Sequence, residues 1–170
     1  SFGATVPLRL ALEQPDRVSR LTLIEPVLFA AAKGTEAARD QAAADTAFTD
    51  ALASGDAEAA ARAFNRQWGA GQRWTDLRPE ARARMIASIP FITASDPALS
   101  QDVHGLLAPG RLEALARPVT LVRGSDSQPV IPAIHAALVA RLPDATDHVI
   151  DGAGHMAPVT HPAETAALIA

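Results

Sequence analysis

Arg20-Leu21-Thr22-Leu23-Ile24-Glu25 is a short apolar run stopped at once by Pro26, and it reads as a β-strand. Upstream of it, Val6, Leu8, Leu10, Ala11 and Leu12 give a short helix that ends near Gln14, before Pro15. Pro7 removes one backbone donor there, within the first two turns where the cost is lowest. Downstream, Pro118-Val119-Thr120-Leu121-Val122-Arg123 forms a second apolar strand ending at Gly124. A helix is expected from Ile131 to Leu142, a third strand from Asp147 to Ile150, and a last helix from near Pro162 to the end at Ala170. Strands that alternate with helices pair in parallel through right-handed crossovers, and runs as apolar as Leu21–Ile24 suit strands covered on both faces.

Between the first and second strands, residues 27–117 carry no strand signal. This alanine-rich stretch predicts helices over Glu36–Leu52, Ala57–Trp68 and Pro79–Ser88, with Pro79 at a first-turn position. Gly55, Gly69-Ala70-Gly71 and Pro90 punctuate it. It is too long for a plain crossover and reads as a helical cap. The expected organisation is therefore a core segment (1–27), a cap (28–115) and a second core segment (116–170).

Composition excludes several classes. The chain is 48% hydrophobic and 20% charged, as a globular protein is, and no apolar run approaches the roughly 20 residues that span a bilayer. A net charge of −4 leaves no electrostatic footprint for nucleic acid. With no cysteine there is no disulfide framework, thiolate metal site or thiol nucleophile, which suits a reducing compartment. Of the other histidines, His104, His135, His148 and His161, none stands at metal-ligand spacing from a second ligand, so no metal or cofactor is expected.

The chemistry gathers at the two ends. Ser1-Phe2-Gly3-Ala4 matches the second half of a G-x-S-x-G nucleophile elbow and opens a helix, as that sharp turn requires. Alone it equally suits a serine that caps the helix. His155 stands in Gly152-Ala153-Gly154-His155-Met156-Ala157-Pro158, a glycine-lined loop after a strand that lets an imidazole lean over the sheet edge. Serine first and histidine last distinguishes this order from those of the chymotrypsin and subtilisin folds.

Together, Ser1–Ala4, Leu21–Pro26 after Pro15-Asp16-Arg17-Val18, Pro118–Gly124 and Gly152–Pro158 resemble successive signature blocks of the α/β-hydrolase family. The resemblance covers both ends of the chain and omits most of the cap. It implies an α/β fold whose strands here are the sixth to eighth of the family sheet. A helical cap follows the first of them, and the N-terminal half of the core lies upstream of this C-terminal portion. It implies Ser1 as nucleophile, His155 as base and the Phe2 amide as one oxyanion donor. The family's usual aspartate falls three residues after the glycine that ends the penultimate strand, and Ser127 occupies that place. Glu25, at the end of the first strand, is the preferred acid, and Asp126 is the alternative. Trp68 and Trp74, with Phe64 a turn earlier, belong either to the cap core or to the wall of a substrate pocket.

The implied activity is hydrolysis of an ester or related acyl compound through an acyl-serine. Enol-lactone opening and carbon–carbon cleavage next to a ketone use the same constellation. A non-catalytic module that binds a small ligand or partner is the rival class. A serine nucleophile argues against the aspartate-dependent dehalogenase and epoxide-hydrolase members. The partner expected is a small-molecule substrate, without nucleic acid or membrane, in the cytoplasm. Residues 1–170 alone are expected to be inactive.

Overall fold

The structure is a computed structural model that describes residues 1–169. Its three strands, β1 (Leu21–Ile24), β2 (Val119–Gly124) and β3 (Ala145–Ile150), form one parallel sheet in the order β1-β2-β3. Leu21 pairs with Val119 and Ile24 with Val122; Val119 in turn pairs with Ala145 and Gly124 with Ile150. This register brings the carboxyl ends of all three strands level. Helix α1 (Phe2–Glu13) precedes β1 and contains Pro7.

The insertion holds α2 (Glu36–Ala44), α3 (Thr46–Ala53), α4 (Ala57–Trp68) and α5 (Pro79–Ser100). One helix was expected over Glu36–Leu52, but it breaks at Asp45. There the Thr46 hydroxyl bonds back to the Ala43 carbonyl at 2.8 Å, a local bond that competes with helix continuation. The third cap helix, expected to stop at Ser88, runs on through Pro90 and Pro97 to Ser100. Burial overrides both prolines. Ile89 and Leu99 are 4% and 7% exposed and belong to different apolar clusters, so α5 ties the two together.

The larger cluster surrounds the sheet and includes Leu8, Leu23, Leu121, Ile131, Ile134 and Leu138. Leu28, Trp68, Leu99, Leu106, Leu112 and Leu115 join it from the insertion, which is thus anchored at both ends in the main core. The smaller cluster, Ala51, Ala60, Ala61, Trp74 and Ile89, lies within the insertion. After β2 come α6 (Val130–Val139), then β3, α7 (Ala157–Thr160) and α8 (Pro162–Ala167). The expected end of the last helix at Ala170 falls outside the described residues. Among the described residues no helix is long and apolar enough to cross a membrane.

Candidate active site

Ligands of open parallel sheets gather at the carboxyl ends of the strands, and Glu25 meets His155 there. Glu25 is the residue after β1. Its backbone takes φ +44°, a left-handed conformation that costs a non-glycine residue energy and marks a constrained position. Its side chain is fully buried. Oε2 lies 2.6 Å from His155 Nδ1. Oε1 accepts the Gly124 N–H at 2.8 Å and the Ser127 hydroxyl. Burial alone would raise this carboxyl, but hydrogen bonds from His155, Ser127 and Gly124 outweigh it and hold Glu25 below the ordinary carboxylate range. An ionised carboxylate can only accept, so Nδ1 donates and Nε2 is left as the basic nitrogen.

Two loops frame His155. A Cβ built on Gly124 would lie 1.9 Å from the Ala153 carbonyl oxygen, so only glycine lets the end of β2 meet the histidine loop. The loops are stitched by Asp126 N–H to the Ala153 carbonyl, 2.9 Å, and Gly152 N–H to the Ser125 hydroxyl, 2.8 Å. Asp126 is exposed, and its carboxylate accepts from Ser125 at 2.8 Å. No hydrogen bond joins it to His155 among the described residues.

Ser1 precedes α1, and its side chain makes no cap bond to that helix. Its nitrogen donates to the Ile24 carbonyl at 2.7 Å, which seats the start of α1 beside the end of β1. The Phe2 amide opens the first turn, and no residue precedes it within α1 to accept its N–H.

Ser1 and Phe2, at the start of α1, line a cavity of about 530 Å³ whose other walls come from Val27 and the insertion. Its walls are mainly apolar, from Val27, Phe29, Phe48, Leu52, Phe64, Trp68, Phe91 and Leu99. Trp68 also meets the His155 ring edge-on, with centroids 4.8 Å apart at 74°. Trp74, named with Trp68 as a candidate substrate-binding residue or cap-core residue, does not line this cavity. It is 7% exposed inside the smaller apolar cluster, with its indole N–H 3.3 Å from Glu58. The chain turns between the two rings, so they face different cores.

Sequence reasoning missed two features. Asp45 and Asp96 also border the cavity; burial, with Asp96 nearby, raises the Asp45 carboxyl against bonds from Gln41 and Gln67. Away from the cavity lies a second histidine–carboxylate pair. His135 is fully buried on α6, its Nδ1 is 2.7 Å from Asp147, and Arg123 bonds the other Asp147 oxygen at 3.0 Å. Only the three-dimensional register of β2 and β3 reveals it. Among the described residues no cluster of three or more His, Cys, Asp or Glu could hold a metal ion.

The family description "alpha/beta hydrolase fold" matches residues 1–162. No curated protein sequence matches the chain. Among solved structures, a protein of Nostoc sp PCC 7120 described as an alpha/beta hydrolase is 22% identical with a TM-score of 0.68, over 98% of this chain and 61% of that one. A carboxylesterase from Bacillus subtilis is 19% identical with a TM-score of 0.61, over 99% of this chain and 56% of that one. Proline iminopeptidase of Mycobacterium smegmatis is 21% identical with a TM-score of 0.57, over 98% and 60% respectively. The chain thus spans less than two thirds of the length of each.

Proposed function

The chain belongs to the α/β-hydrolase fold family, and from the site just described we propose that it carries the triad of a serine hydrolase acting on an ester or related acyl compound. One observation carries the reading: a buried carboxylate holds His155 by Nδ1, at the strand ends where Ser1 keeps a hydroxyl free of any capping role. In this mechanism Ser1 Oγ attacks the substrate carbonyl carbon while His155 Nε2 takes the hydroxyl proton. The carbonyl oxygen becomes an oxyanion, to which the Phe2 N–H donates. His155 returns the proton to the leaving group as the tetrahedral intermediate collapses to an acyl-serine. Water then adds, losing a proton to His155, and as the second tetrahedral intermediate collapses His155 returns that proton to Ser1 Oγ, releasing the acid and the free serine. Glu25 stays ionised throughout, orienting the imidazole and stabilising its cation. The apolar walls favour an apolar acyl group.

A fluorophosphonate probe applied to the full-length protein that contains this chain, with the modified peptide identified by mass spectrometry, tests this reading. Labelling is expected at Ser1 and should be lost in Ser1→Ala and strongly slowed in His155→Ala. Unlabelled Ser1 in folded protein would make the chain a ligand-binding module instead.

A further inference from the structure

We infer that Ser127 is a positioning residue for the acid, fixing the rotation of the Glu25 carboxylate so that Oε2 faces His155; this rests on the triad proposed above. A carboxylate turns easily about its last torsion, a broad and shallow one. Here one oxygen must stay on the imidazole. The other, Oε1, is gripped by two donors from one turn, the Gly124 N–H and the Ser127 hydroxyl. Two donors on one oxygen fix the carboxylate plane, where a single N–H would leave it free to swing. That turn cannot itself shift, because Gly124 is pressed against the Ala153 carbonyl next to His155.

Ser127 therefore joins the loop after β2 to the acid on β1, across 102 residues of sequence. It is only partly buried and does not line the cavity, so its route to the chemistry runs through Glu25. A merely structural role, as a tie between two strand ends, would cost stability whatever residue stands at position 25.

A double-mutant cycle in the full-length protein separates the two, read as kcat and KM on a p-nitrophenyl ester with melting temperatures alongside. Ser127→Ala should lower kcat roughly 10-fold, the scale of a lost hydrogen bond to a charged group, with KM unchanged. Ser127→Thr, which keeps a hydroxyl, should restore most of the loss. Ser127→Cys, of similar size but a weak donor, should match alanine in kcat. In a Glu25→Gln background, Ser127→Ala should cost no more than about twofold. Wild-type kcat in Ser127→Ala or Ser127→Cys would overturn the inference, as would an equal loss in both backgrounds. If Glu25→Gln itself keeps wild-type kcat, the acid assignment falls as well, an outcome distinct from additive losses, which remove only the role of Ser127.

Discussion

Two histidine–carboxylate pairs, each with a buried imidazole, set the behaviour of single residues, and they differ in what each imidazole is left to do. His155 packs edge-on against Trp68 of the cavity wall and has its Nδ1 on Glu25, whereas the Nε2 of His135 is buried with no partner among the described residues. Burial lowers the pKa of His135 from 6.5, against the pull of Asp147. The unfolded chain therefore takes up a proton near pH 6.5 that the folded chain refuses. The stability tied to neutral His135 is present above that pH and lost as pH falls below it. Glu25, depressed from 4.5, adds stability present above that value and lost as pH falls through its lower folded pKa. Acid should thus destabilise the protein in two steps. His135→Gln, which cannot titrate, should abolish the drop in melting temperature between about pH 7 and 5.5 and leave the deeper acid step. An unchanged drop in that variant would contradict the assignment to His135.

The elements were legible in the sequence wherever local chemistry decided them. Four-residue apolar runs bounded by proline or glycine located β1 and β2, and Ala57–Trp68 agrees end to end with α4. Tertiary packing decided the rest: α5 passes two prolines because its middle, at Ile89, and its C-terminal end, at Leu99, are buried in separate clusters. The same logic separates the two tryptophans. Trp68 ends α4 in helical phase with the buried Ala61 and Asn65 and reaches the cavity, while Trp74 starts the next turn and faces the insertion's own core. No local signal distinguishes them, since both flank the same glycines. Trp68→Ala should shift chain-length preference across a series of p-nitrophenyl esters. Trp74→Ala should leave that profile alone and cost about 3–5 kcal/mol in denaturant unfolding. A shifted profile in Trp74→Ala alone would reverse the two roles.

Across the whole molecule, the site is an outcome of register. Parallel pairing levels Ile24 with Val122 and Gly124 with Ile150, so Glu25, Ser127 and His155 converge although 99 to 130 residues separate Glu25 from the groups that bind it. The sequence pointed to Glu25 because Ser127 stands where the family's aspartate usually is. It did not disclose that Ser127 donates to Glu25, because that bond depends on which strands are neighbours. Asp126 has the chemistry of an acid but spends it on Ser125 at the surface. The most direct test compares kcat of Glu25→Gln and Asp126→Asn in the full-length protein, each checked for folding by its melting temperature. Glu25→Gln should fall roughly 10⁴-fold, the scale of replacing a triad acid by its amide, with Asp126→Asn near wild type. Near-wild-type kcat in Glu25→Gln with collapse in Asp126→Asn would contradict the account and move the acid to the loop after β2.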